Sequence, residues 1–169
     1  EINAECCAAL RKAAEIARAL GHEGDARIWE EAAGRLASAI NERLVSPNTG
    51  LYVLARTQEG EALEAVTADI VFPVLFDVAP EPLRRRVVER LLGPGIWTPY
   101  GARTVPSDDP DYDPDAGYQL LGGVWPNLTA WIAYGARRDD PGRVAEALET
   151  IYRISEAEVP AAWEYVVPG

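Results

Sequence analysis

The segment INAECCAALRKAAEIARAL, residues 2–20, sets Ile2, Cys6, Ala9, Leu10, Ala13, Ile16, Ala17 and Leu20 at steps of three and four. That spacing gathers the apolar side chains on one face of a 3.6-residue helix. Gly21 then supplies a stop. Residues 24–44 repeat the pattern through Ile28, Ala32, Leu36, Ile40 and Leu44. Two amphipathic helices joined by so short a turn must fold back on one another, which commits the chain to helix-on-helix packing from its start.

The same pairing recurs. Pro47, Asn48 and Gly50 break the helix in SPNTGLYVLARTQEGEALE (residues 46–64), which reads as a short β-hairpin. AVTADIVFPVLFDV (65–78) is almost wholly apolar and predicts a helix buried on most sides, kinked at Pro73. From Pro80 onward, EPLRRRVVERLL is strongly amphipathic and returns as its partner. VWPNLTAWIAYGARR (124–138) predicts another mostly apolar helix. PGRVAEALETIYRISEAE (141–158) predicts an amphipathic one, with Pro141 where a first-turn proline is tolerated. The expected fold is all-α: three helical hairpins, alternating inner and outer helices, in an α-toroid or an α-solenoid. No sequence repeat of solenoid length is visible. The connection over residues 93–117 is about 25 residues long, beyond the ordinary range for a connection without function.

Composition narrows the partners. A net charge of −11 argues against nucleic acid, whose phosphates require clustered Lys and Arg. No apolar run approaches the roughly 20 residues needed to span a bilayer, so no membrane partner is expected. No signal-peptide pattern opens the chain, and a cytoplasmic location is the expectation. Cys6 and Cys7 are adjacent and form no disulfide framework. With His22 the single histidine, no His-rich metal site can be built; no cofactor is expected, although a carboxylate-bound Ca²⁺ stays open.

The stretch TPYGARTVPSDDPDYDPDAGYQLLGGVWP (98–126) carries the chemistry. Sugars present flat apolar faces edged by hydroxyls, so their sites combine aromatic platforms with fixed carboxylates, guanidiniums and amides. Trp97, Tyr100, Tyr118 and Trp125 supply the first kind; Arg103, Asp108, Asp109 and Asn127 supply the second. Each has a plainer reading. Trp125 and Trp131 lie in an apolar helix and suit a core, Asp108 or Asp109 before Pro110 suits a turn cap, and Arg103 suits an ion pair with one of these acids.

TPYGARTVPSDDPDYDP followed by GYQLLGGVWPNLTAWIAYGARR resembles the inner-helix and loop region of (α/α)6-barrel glycoside hydrolases, above all the glycogen debranching enzyme (amylo-α-1,6-glucosidase) and mannosylglycerate-hydrolase-like groups. The opening EINAECCAALRKAAEIARALG and the segment NERLVSPNTGLY are similar to the same families, so the resemblance covers nearly the whole chain. It implies that residues 1–169 are the C-terminal part of the catalytic domain, about half of the toroid, with the N-terminal half missing. It also implies hydrolysis of α-glucosides or related oligosaccharides with inversion: one carboxyl group protonates the leaving oxygen, the other activates a water on the opposite face, and the two sit roughly 6.5–9.5 Å apart. In VPAAWEYVVPG the resemblance makes Glu164, between Trp163 and Tyr165, the general base, with Glu158 the lesser candidate. The family's general acid, an Asp, is expected upstream of Glu1, so the chain alone is expected to be inactive. Trp125, Tyr118, Arg103, Asp109, Asp108, Tyr100, Asn127 and Trp163 would line the sugar subsites. Asn3, with Glu1, begins an inner helix at the same end and would reach the ligand.

Two other readings compete. A sugar epimerase can share the toroid, but such enzymes generally use histidines as acid and base, and His22 is far from any candidate site. A non-catalytic helical module would bind glycans or a protein, and would leave an apolar flank exposed around Ile2, Phe72 and similar inner positions.

Overall fold

The computed structural model describes residues 1–116 and 120–156. Helix α1 (Ile2–Ala19) and helix α2 (Glu23–Arg43) form the first hairpin. Their contact surface is built from small side chains: Ala4, Cys7, Ala14 and Ala17 on α1, Ala26 and Ala33 on α2, all buried. Small residues let the two backbones approach closely, and the Cys7 thiol donates to the Ala33 carbonyl at 3.4 Å. Gly21, at φ +81°, ends α1 as expected. The His22 amide donates to Ala17 O (2.8 Å) and the Gly21 amide to Arg18 O (3.1 Å), a Schellman closure that requires the left-handed residue.

Strands β1 (Ala55–Arg56) and β2 (Ala62–Leu63) pair antiparallel, Ala55 opposite Leu63, and form the expected hairpin. Asn41 locks the returning chain onto α2. It accepts from the Tyr52 hydroxyl at 2.6 Å and donates to the carbonyls of Ala37 and Val78, both at 2.9 Å.

The segment 65–78 departs from expectation. Instead of one kinked helix it forms a 3-10 turn, Ala68–Val71, running into a single α-turn, α3 (Phe72–Leu75). Pro73 offers no N–H, and the Ala68 amide is drawn away to Thr104 O at 2.8 Å, so helix cannot extend backward from Ala68. Forward growth ends at Asp77, which is left-handed at φ +54°. The Arg11 guanidinium then caps the exposed end, donating to Phe76 O and Asp77 O at 3.1 Å each. The apolar reading of this segment holds: Ala68, Ile70, Val71, Phe72 and Val74 are buried in the main core.

Helix α4 (Glu81–Leu91) packs Leu83, Val87, Val88 and Leu91 onto that central segment. Helix α5 (Pro126–Gly135) continues as a 3-10 turn, Ala136–Arg138, and pairs with helix α6 (Gly142–Glu156). The described residues thus form three helical hairpins, about half of a six-hairpin toroid. Phe72 corrects one expectation. It is buried, with its ring 5.4 Å from Trp131, and does not belong to an exposed flank; Ile2 does, at 73% exposure.

The connection from α4 to α5 is folded rather than loose. Strands β3 (Trp97–Thr98) and β4 (Gly101–Ala102) make a second hairpin that sequence reading did not anticipate. Isolated bridges pair Arg103 with Val124 and Asp113 with Leu121. The buried Thr129 hydroxyl accepts from the Ala102 amide and donates to Trp125 O, both at 2.8 Å, which fixes β4 to the start of α5. The Trp97 indole donates to Glu146 at 2.9 Å, and Arg153 donates to Pro99 O, so α6 holds the same hairpin from outside. Among the described residues no helix is long and apolar enough to cross a membrane.

Candidate active-site cleft

The starts of three elements border the same hollows: Glu1 at the start of α1, Asp69 in the 3-10 turn before α3, and Trp125 with Asn127 at the start of α5. Two adjoining hollows open there. One, about 460 Å³, is lined by Asn3, Tyr52, Arg56, Ile70 and Pro73 among others. The second, about 310 Å³, is lined by Phe72, Thr104, Leu120, Trp125, Asn127 and Trp131 among others. Glu1, Thr67 and Asp69 line both, so the hollows form one cleft with these three residues at the junction. Its size falls within the range for small-molecule sites.

The walls are chemically distinct. Trp125 and Trp131 present aromatic surface on the α5 side, with Trp131 braced against Phe72. Asp69 and Glu1 present carboxylates, Asn3 and Asn127 amides, and Thr67 and Thr104 hydroxyls. Arg56 closes the far end of the larger hollow and is itself held by the carbonyls of Arg43 and Gly60. Helix N-termini favour negative charge and supply donors, which suits a wall of acids and hydroxyl acceptors.

Of the residues singled out from sequence, the structure brings Trp125, Asn127, Asn3 and Glu1 to the cleft. It places Asp108, Asp109, Tyr100 and Arg103 elsewhere. Asp108 is exposed and accepts from Arg90 at 2.9 Å, an ion pair that holds its carboxyl below the ordinary range. Asp109 accepts from the Asp111 amide at 2.9 Å in an Asx turn, the plainer of its two readings. Tyr100 sits exposed at the tip of the β3–β4 hairpin. Arg103 forms no ion pair with Asp108 or Asp109; its guanidinium lies 5.7 Å over the Tyr112 ring, and Nε is buried with no hydrogen-bond partner among the described residues. Tyr118, Glu158, Trp163 and Glu164 lie outside the described residues.

Sequence reading missed Asp69, Thr67, Thr104 and Leu120, and placed Trp131 in the core. Asp69 carried a signal: it is the lone charged residue of the apolar run 65–76.

The fold and the cleft together are those of an α-toroid domain, with element starts surrounding an aromatic and acidic hollow. The family described as the mannosylglycerate hydrolase MGH1-like glycoside hydrolase domain matches residues 1–169. The chain belongs to that family. It is similar to a mannosylglycerate hydrolase of Rubrobacter radiotolerans, 28% identical over 158 residues, covering 89% of this chain and 35% of that protein. In fold it is similar to the GH63 mannosylglycerate hydrolase of Thermus thermophilus in complex with glucose, with TM-score 0.77 and 20% identity over 98% of this chain and 41% of that one. A sialidase shares the fold at TM-score 0.84 and 16% identity, over 98% of this chain and 16% of the sialidase. The chain therefore spans well under half the length of these relatives.

Proposed function

We propose that residues 1–169 are the C-terminal part of an (α/α)6 catalytic domain and supply the general base and sugar subsites of an inverting glycoside hydrolase. The observation that carries the reading is the cleft of Trp125, Trp131, Asp69 and Asn127 in a chain belonging to a glycoside hydrolase domain family. An indole face receives the C–H face of a pyranose, and the neighbouring carboxylates and amides receive its hydroxyls. Substrates are α-linked: mannosylglycerate, after the similar Rubrobacter protein, or related α-glucosides and oligosaccharides.

In this mechanism Glu164 takes a proton from a water as its oxygen attacks the anomeric carbon. The glycosidic C–O bond breaks toward the opposite face, and an upstream Asp protonates the departing oxygen. On this reading the second carboxyl group belongs to the part of the relatives' length that these residues do not span, and the 169 residues alone are expected to show no turnover.

Proton NMR of the first-formed product tests the reading. With the protein that carries this chain together with the rest of its barrel, an α-glycoside yields the β-anomer first, which then mutarotates. Appearance of the α-anomer first would replace inversion with retention, and a changed stereocentre without hydrolysis would make the protein an epimerase.

A further inference from the structure

We propose that Asp69 is a further substrate-binding residue, whose carboxylate accepts one particular hydroxyl of the sugar where the two hollows meet and so contributes to substrate choice. The proposal rests on the glycoside hydrolase reading above.

Four observations converge on it. Asp69 lines both hollows, with Glu1 and Thr67, so a ligand filling either one lies beside it. Its position is fixed, because the Ala68 amide is bonded to Thr104 O at 2.8 Å and Ala68 and Ile70 on either side are buried to 1% and 3% exposure. Its acceptor capacity is unfilled: among the described residues its side chain takes one contact, from the Thr67 hydroxyl at 3.5 Å, the outer limit of a hydrogen bond. An ionised carboxylate has about four lone-pair sites. The indoles of Trp125 and Trp131 belong to the same hollow, so a ring lying on either keeps its hydroxyl edge within the space that Asp69 faces. The lone acid of the apolar stretch 65–76 is half-buried, in the first turn of the 3-10 segment that borders the cleft.

The experiment uses Asp69→Asn and Asp69→Ala in the protein that carries this chain with the rest of its barrel. Steady-state kinetics are taken on an α-mannoside or α-glucoside and its monodeoxy analogues, with thermal melts to establish folding. Loss of a charge-assisted hydrogen bond to a hydroxyl lowers kcat/KM by ~10- to 100-fold. The wild type shows a comparable loss on one monodeoxy analogue, and on that analogue alone Asp69→Ala causes little further loss. This non-additivity is something a merely structural Asp69 would not produce. If both variants melt like the wild type and stay within about twofold of it on every substrate, the assignment is wrong. It is equally wrong if the loss is the same on every analogue. A wild type that hydrolyses no glycoside overturns the glycosidase reading itself, and this assignment with it.

Discussion

The Arg90 guanidinium donates to the Asp108 carboxylate at 2.9 Å, joining helix α4 to the acidic connection that precedes α5. The pair holds the Asp108 carboxyl below the ordinary range, first through this hydrogen bond. A depressed carboxyl contributes stability above its unfolded value and loses it as pH falls through the folded one. Carboxyl NMR titration of the wild type should therefore find Asp108 protonating at lower pH than an isolated aspartate. Arg90→Ala should return it to the ordinary range, with little change in stability at neutral pH because the pair is solvent-exposed.

Asn41 joins α2, the Tyr52 turn and the end of the α3 segment through three side-chain hydrogen bonds. Tyr52→Phe removes one donor, and urea unfolding should register about 1–2 kcal/mol. Asn41→Leu also strands the Tyr52 hydroxyl and the Val78 carbonyl and should cost more, about 2–4 kcal/mol by the same physics. Equal losses for the two variants would show that the amide does not act as the hub.

Gly122 sits at φ +144°, and a Cβ there would fall 2.4 Å from the Tyr112 ring. Gly122→Ala therefore strains the backbone and displaces Tyr112 from beneath the Arg103 guanidinium, at a cost of about 1–3 kcal/mol. Limited proteolysis should find new cleavage within residues 103–124, and a melt unchanged from wild type would contradict the placement of Tyr112.

Trp125 begins α5, packs partly against the core and lines the cleft. In the barrel-complete protein, Trp125→Phe keeps an aromatic face and should leave KM within a few-fold. Trp125→Ala removes the platform and should raise KM by ~10-fold or more. Equal KM values for both variants would take Trp125 out of the subsite.

Local periodicity made most of the helices legible. The extent of α1, the left-handed Gly21 and the start after Pro80 depend on neighbours within a turn or two, and all three are as read; the buried face of α1 is not, for Ala4, Cys7, Ala14 and Ala17 are buried whereas Ile2, Cys6, Ile16 and Leu20 are exposed. The 65–78 segment was less legible because apolar residues on every side give no helical phase. Its shape is set from a distance, by Thr104 taking the Ala68 amide. Strands β3 and β4 have two residues each, too short for an alternating pattern to register. At the site, Trp125 and Asn127 stood out because an indole and an amide close behind an acidic, aromatic connection suit a sugar. Asp69 did not, since what makes it a site residue is the arrival of α5 and the start of α1 beside it. The partner of Asp108 was equally illegible: Arg90 lies on an amphipathic helix 18 residues earlier.

Glu164 is the proposed general base, and turnover by Glu164→Gln in the barrel-complete protein decides whether it holds that role. The amide cannot take a proton from water, so kcat should fall by ~10³-fold or more while substrate still binds and the melting temperature holds. Turnover within a few-fold of wild type would contradict the account and remove Glu164 from the mechanism.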